Sequence, residues 1–283
     1  MKKENKKPVI SIILPTYNGG DVIGRAIRSV QEQSFQDWEL IIVIDGSSDA
    51  TLERVSRIAK QDDRIIIVNN EHNQGIQKTL NDGLQKSQGE YIARIDDDDS
   101  WIDTRKLQKQ YDFLEKNPDY VLIGTGIVLV DSKGVEITRY FLPETDQDIR
   151  KRILGTNCFA HPSVMYRKSV ISQIGNYSES VQDKHVEDYE FWLRMGTVGK
   201  FANLSEYSLL YQVASSSISG KNKLPQLKKC IHLSWRFRKD YEHFYRNFFI
   251  VCLRYVAYGL FGGILSRSIR LRGKITSFVK KIF

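Results

Sequence analysis

The sequence predicts an α/β protein, with a mostly parallel sheet flanked by helices and a helical C-terminal appendage. Three observations carry that prediction. Short β-branched runs alternate with amphipathic helical stretches through the first 120 or so residues. Acidic residues gather where two of those runs end. Basic residues crowd the C-terminal part, from Lys221 to Phe283.

Val9 to Leu14 is an apolar run too short for a helix, stopped near Pro15, and reads as a buried strand. It follows a basic start, MKKENKKP, but lacks the length and the small-residue cleavage site of a signal peptide. Val22, Ile23, Ala26, Ile27 and Val30 then form a helical stripe. Leu40 to Ile44 (LIIVI) suits a strand covered on both faces. Asp49 is placed to cap a helix carrying Leu52, Val55, Ile58 and Ala59. Ile65 to Val68 is a third strand, Gly75 to Lys86 a third helix, and Tyr91 to Ile95 a fourth strand. Such alternation builds a right-handed, mostly parallel sheet of nucleotide-binding type. Beyond residue 120 the pattern changes to two extended runs around Asp131-Ser132-Lys133-Gly134, a turn cluster, and a further extended run over Ser208 to Val213.

Charge divides the chain. Residues 221–283 hold fifteen Lys/Arg against Asp240 and Glu242, while residues 1–220 hold 27 basic and 32 acidic groups. The overall +8 therefore averages an acidic body and a strongly basic tail. The three cysteines have no C-x-x-C spacing, which fits a reducing compartment without disulfides or a zinc knuckle. The expected divisions are a basic tail at 1–8, a catalytic domain at 9–220, and a basic amphipathic helical region at 221–283.

The acids define the chemistry. In open parallel sheets, ligands bind at the carboxyl ends of strands. Asp45 follows LIIVI, and Asp96 to Asp99 follow YIARI, so both sit on one edge. Carboxylates facing one crevice repel unless a cation shares it, and a hard cation such as Mg²⁺ or Mn²⁺ suits a diphosphate. Capping of a helix over Thr104 to Glu115 accounts for Asp99 or Ser100, but not for four acids in a row. Asp96 and Asp98 are therefore assigned as ligands, while Asp97 and Asp99 fit either role.

PTYNGG (Pro15 to Gly20), IDGSSDAT, NQGIQKTLNDGL, YIARIDDDD, HPSVMYRK and EDYEFWLR occur in this order over residues 8–213. Together they resemble an inverting glycosyltransferase of family two with the GT-A fold, of the bacterial cell-surface polysaccharide type. That resemblance implies a nucleotide-diphosphate sugar donor, with Thr16, Tyr17, Asn18 and Asp45 around the base. It implies Asp96 near ribose and metal, Asp98 on the metal, and Asp188 as the base that deprotonates the acceptor hydroxyl. Ile44 stands where the family has the first acid of a pair, and Gln212 where it often has Arg. Bland roles are available too: Asn18 as a plain turn residue, Glu187 as a first-turn acid, His161 as a structural hydrogen-bonder, and Lys184 and His185 as a solvated loop.

In the tail, Leu224, Leu227, Ile231, Leu233 and Phe237 have helical spacing. Asn247 to Ser266 is twenty residues with one charge, Arg254, at its middle. A central arginine costs a membrane span about 2.5–3.5 kcal/mol. Arg267, Arg270, Arg272, Lys274, Lys280 and Lys281 would each gain about 1 kcal/mol at anionic headgroups. An in-plane anchor is thus expected on the cytoplasmic, inner face of the cell membrane; a helical pair packed on the body or on a second copy is the rival. The expected acceptor is a glycan or lipid-linked saccharide. Three other functions share some of these features. A nucleotidyltransferase would need a glycine-rich phosphate loop that PTYNGG does not supply. A nucleic-acid protein would need base-stacking platforms the tail lacks, so no nucleic-acid partner is expected. A non-catalytic GT-A-like scaffold would not require both Asp98 and Asp188. Sugar, base, linkage and oligomeric state are not encoded in these motifs.

Overall fold

The computed structural model describes residues 7–213 and 223–267. They divide into two compact units, Met1–Ile149 with Asn157–Ala214, and Arg150–Thr156 with Ser215–Phe283.

In the first unit, β1 (Ile10–Thr16) is buried at every position, as expected of a strand with layers on both sides. It pairs in parallel with β2 (Trp38–Asp45), which pairs in parallel with β3 (Ile65–Asn70). On its other side β1 pairs in parallel with β4 (Tyr91–Arg94). Helices α1 (Ile23–Gln31), α2 (Thr51–Ala59) and α3 (Ile76–Lys86) are the crossovers. Sheet alternation sends Ile10, Ile12, Leu14, Leu40, Ile42, Ile44, Tyr91 and Ala93 into one core, with Ile23, Ala26, Ile27 and Val30 of α1. On the opposite face α3 closes tightly on β1: a Cβ on Gly83 would stand 2.6 Å from Ile13 Cγ2.

The second half departs from a parallel plan. After β5 (Ser100–Trp101) and α4 (Lys106–Lys116), β6 (Tyr120–Val130) and β7 (Glu136–Tyr140) form the hairpin expected around Asp131 to Gly134. Gly134 has φ +79, and Asp131 Oδ1 accepts the backbone N–H groups of Lys133 and Val135, each at 2.9 Å. A short helix α5 (Asp146–Arg150) follows. Then β8 (Met165–Arg167) inserts antiparallel between β4 and β6. After α6 (Ile171–Ile174) and α7 (Glu187–Met195), β9 (Lys200–Gln212) pairs in parallel with β6 and antiparallel with β5. The order is β3-β2-β1-β4-β8-β6-β9-β5, with β7 on β6. The sheet is therefore mixed: a parallel half that carries the first acids, and a half with antiparallel insertions.

Two helix starts differ from expectation. Ala50 occupies the cap of α2, and Asp49 instead accepts Thr51 N–H at 3.0 Å and Gly20 N–H at 3.0 Å, tying two loops together. Helix α4 begins at Lys106 rather than Thr104, and Asp103, not Asp99, accepts the Arg105 N–H at 2.9 Å.

The second unit contains α8 (Lys223–Arg236) and α9 (Phe244–Arg267), held to each other in part by Trp235, whose ring lies 5.7 Å from Phe244. Among the described residues, no helix is long and apolar enough to cross a membrane. The expected lipid-facing charges Arg270, Arg272, Lys274, Lys280 and Lys281, most of the 1–8 tail, and the expected 220/221 boundary lie outside the described residues.

Candidate active site

The register Thr16↔Ile44 and Ile13↔Arg94 sets the carboxyl ends of β1, β2 and β4 along one edge. The turn after β1 presents three side chains differently. Thr16 is buried, Tyr17 is 53% exposed, and Asn18 takes a left-handed backbone, φ +54. Asn18 donates its N–H to Ser47 Oγ at 2.9 Å, and its Oδ1 accepts Ser48 N–H at 2.9 Å, stitching this turn to the loop after β2. A plain turn role is thus satisfied, and the side chain of Tyr17 is left open above it.

Ile44 and Asp45 diverge as alternation requires: Ile44 enters the core, and Asp45 faces α3. Asp45 is buried and accepts three donors: Gln74 N–H at 2.9 Å, Gly75 N–H at 2.9 Å, and Asn70 Nδ2 at 3.3 Å. Gly46, with φ +67, allows this contact, since a Cβ there would stand 2.4 Å from Asn73 N.

The four consecutive aspartates have four different environments. Asp96 Oδ1 lies 2.6 Å from Nη1 of Arg94, a buried guanidinium on the same strand face two residues earlier. Burial opposes the Arg94 charge, but Asp96, followed by Tyr177 and Asp99, raises its pKa on balance. Asp97 Oδ2 accepts the Thr16 hydroxyl at 2.6 Å, in a space that only a glycine at position 19 leaves open. Asp99 is buried, with Oδ1 accepting the Gln212 N–H at 2.9 Å and Oδ2 unpartnered. Asp98 alone of the four has a carboxylate with neither a hydrogen bond nor an ion pair to another residue among those described; its backbone carbonyl accepts Arg25 Nη2 at 2.7 Å. Burial first, and then like charge, push Asp97 up to about 7 and Asp98 up to about 6, and push Asp99 well above the carboxylate range. Arg25 also donates to Gln212 Oε1, so β9 meets this loop through a glutamine.

Helix α7 opens with Glu187 and Asp188. Asp188 Oδ2 accepts Asn157 Nδ2 at 2.8 Å. Burial pushes the Asp188 carboxyl up, opposed by its hydrogen bonds and by Arg94. Burial and then Asp188 push Glu187 up to about 7. The Arg94 charge thus opposes the upward shift of both Asp98 and Asp188. His161 sits in a 3₁₀ turn with Nε2 3.0 Å from the Tyr177 hydroxyl, and burial drives its pKa well below the usual value. That is the structural hydrogen-bonding role.

Arg94, Arg25 and Asn157 are absent from the sequence-derived set. Arg94 had a signal, a lone charge inside a four-residue apolar strand. Arg25 and Asn157 had none, because their partners are 73 and 31 residues away.

A parallel half-sheet with carboxylates and a turn gathered at its carboxyl edge, joined to a half with antiparallel insertions, is the architecture of the GT-A class. The glycosyl transferase family 2 model matches residues 11–175, and the chain belongs to that family. It is 34% identical over 224 residues to "Putative glycosyltransferase EpsE" of Bacillus subtilis (strain 168), covering 77% of each chain. "Putative teichuronic acid biosynthesis glycosyltransferase TuaG" of the same organism is 32% identical over 230 residues, 80% of this chain and 86% of that one. Among solved structures, a mannosyltransferase, PcManGT from Pyrobaculum calidifontis in complex with GDP-Man and Mn²⁺, shares the fold with a TM-score of 0.65 at 14% identity, covering 96% of this chain and 81% of that one.

Proposed function

We propose that this glycosyltransferase moves a sugar, with inversion and with a divalent cation, from a nucleoside-diphosphate donor to a glycan or lipid-linked saccharide. The setting is surface polysaccharide synthesis at the cytoplasmic, inner face of the membrane. The observation that carries the proposal is the Asp98 carboxylate: half of a four-acid cluster is held by Arg94 and Thr16, a third acid by Gln212, and the fourth is left unpaired. Among the described residues no three His, Cys, Asp or Glu side chains converge on a metal position. Mg²⁺ and Mn²⁺ sites of this kind take one or two carboxylates, with substrate phosphates supplying further oxygens, so Asp98 and Asp96 fit the role.

When bound, such a cation would neutralise the charge of the departing diphosphate. The chain's own groups do the rest. Tyr17, exposed beside Asn18, is placed to stack on the base, and Asp45 fixes the loop that walls the base pocket. Asp188 takes the acceptor hydroxyl's proton as its oxygen bonds to the anomeric carbon, while the bond from that carbon to the diphosphate oxygen breaks on the opposite face. Burial makes Asp188 a stronger base than a solvated carboxylate. The polymer setting is supported by the likeness to TuaG, named for teichuronic acid biosynthesis, and the cation by the Mn²⁺ in the PcManGT complex.

Calorimetric titration of UDP, GDP and dTDP, with and without Mn²⁺, tests the donor site. Metal-dependent binding of one nucleotide, lost in Asp98→Ala, is the expected result and names the base. Equal binding by wild type and Asp98→Ala would remove the metal assignment.

A further inference from the structure

Helix α9 is turned inside out for a helix in water. Asn247 is buried and donates from Nδ2 to the Lys151 carbonyl at 3.1 Å. Arg254 donates from Nη1 to the Gly155 carbonyl at 2.8 Å. Val251, between them, is also buried. These residues, at i, i+4 and i+7, form the face that grips segment 150–156. The other face is apolar and open: Tyr245, Phe249, Leu253, Val256 and Leu260 are 86%, 68%, 48%, 52% and 71% exposed. Their spacing of four, four, three and four residues keeps them in one stripe. Trp235 of α8, half exposed, stands beside the same helix with its ring 5.8 Å from Phe248.

A surface helix in water puts its apolar stripe inward. Polar groups inward and apolar groups outward is the arrangement of a helix whose outer solvent is hydrocarbon. The inward turn of Arg254 also removes the charge that made residues 247–266 poorly suited to lipid.

We propose that the Tyr245–Leu260 face of α9, with Trp235, is a docking surface for an anionic lipid bilayer, lying in the headgroup plane. The inference rests on the peripheral-enzyme proposal above and specifies the surface it uses. Charge selects the occupant. From Lys223 to Arg236 and from Phe244 to Arg267 every charged residue is basic, and residues 221–283 carry fifteen Lys/Arg against two acids. Anionic headgroups attract that region, whereas a second copy of the same all-basic helix would repel it. Aromatic side chains in the stripe suit the boundary between headgroup and acyl chain, and no described helix is suited to cross it.

The test uses the full chain, sedimented with vesicles of phosphatidylcholine alone or mixed with phosphatidylglycerol. The comparison is with a variant carrying Phe249→Gln, Leu253→Gln, Val256→Gln and Leu260→Gln, and with Phe249→Gln alone. All four positions are exposed and glutamine is a good helix former, so the fold should persist; thermal midpoint checks this. Wild type should bind mixed vesicles at least about tenfold more tightly than neutral ones, as expected for several basic groups near the surface. The fourfold variant should lose at least about tenfold in affinity, as expected for removal of several buried apolar side chains. Phe249→Gln should fall between. Absence of vesicle binding by wild type, or equal binding by the fourfold variant, overturns the proposal. So does a wild-type dimer, without vesicle binding, that the four substitutions split. Nucleotide binding measured on the same preparations separates the two proposals. Vesicle binding without nucleotide binding would sink the donor site and leave this surface standing.

Discussion

Four identical residues in a row end in four different chemical states, and that difference is what makes the cluster useful. Asp96 is paired with a buried cation, Asp97 with a hydroxyl, Asp99 with a backbone N–H, and the Asp98 carboxylate with no donor among the described residues. Because burial and like charge raise Asp97 to about 7 and Asp98 to about 6, these two carboxyls hold more protons in the folded chain than in the unfolded chain between about pH 4 and 7. Their contribution to the stability of the metal-free protein therefore falls as pH rises through that window. A cation that replaces those protons should stabilise most where the carboxylates are ionised. The rise in thermal midpoint on adding Mn²⁺ with nucleoside diphosphate is expected to be larger at pH 8 than at pH 5; a pH-independent rise would contradict it. At Asp188 the expectation is a split between binding and chemistry. Asp188→Asn retains a hydrogen-bonding group toward Asn157 but cannot accept a proton. Turnover should fall by about 10²–10⁴-fold, with nucleoside-diphosphate affinity within about twofold of wild type. Steady-state kinetics alongside calorimetry separates those two effects.

At the scale of elements, the acidic loop is fixed by two segments far apart in sequence. Arg25 of α1 holds the Asp98 carbonyl and the Gln212 side chain, while the Gln212 backbone N–H holds Asp99. The loop after β4 is thus clamped between the first helix and the last strand. Arg25→Ala leaves two acceptors unmet and frees the loop. We expect a loss of about 1–3 kcal/mol in urea unfolding, together with weaker metal-dependent nucleotide binding. Loss of stability with unchanged nucleotide affinity would reduce the clamp to a structural staple. The loop after β2 is held by the same logic: Asp45 catches the N–H groups at the start of α3, and Gly46 permits the approach. Its carboxylate therefore holds the loop after β2 against the start of α3.

On the scale of the whole chain, sequence and tertiary structure contributed different things. The alternation of strand and helix was legible through β4, because hydrophobic periodicity is local and each of those elements shows it. The hairpin at Asp131 to Gly134 was legible for the same reason, through its turn residues. The basic character of residues 221–283 and the run of four aspartates are properties of composition that no folding could alter. The mixed character of the sheet was only partly legible. The antiparallel entry of β8 and the parallel pairing of β6 with β9 join residues more than 70 positions apart, and nothing local encodes such partners. The same limit applied to the site. Sequence marked which acids were candidates, but which carboxylate is left without a donor among the described residues depends on Thr16 and Gln212 arriving from other strands, and on Arg94 pairing with Asp96 two residues on. In the tail, the sequence showed a charge in the middle of an apolar stretch. Only the fold decided that Arg254 turns inward to the Gly155 carbonyl and leaves an uncharged stripe outside. A side chain's type is fixed by the sequence; its partner, and therefore its protonation, exposure and chemical use, is fixed by contacts between segments that only the tertiary structure brings together.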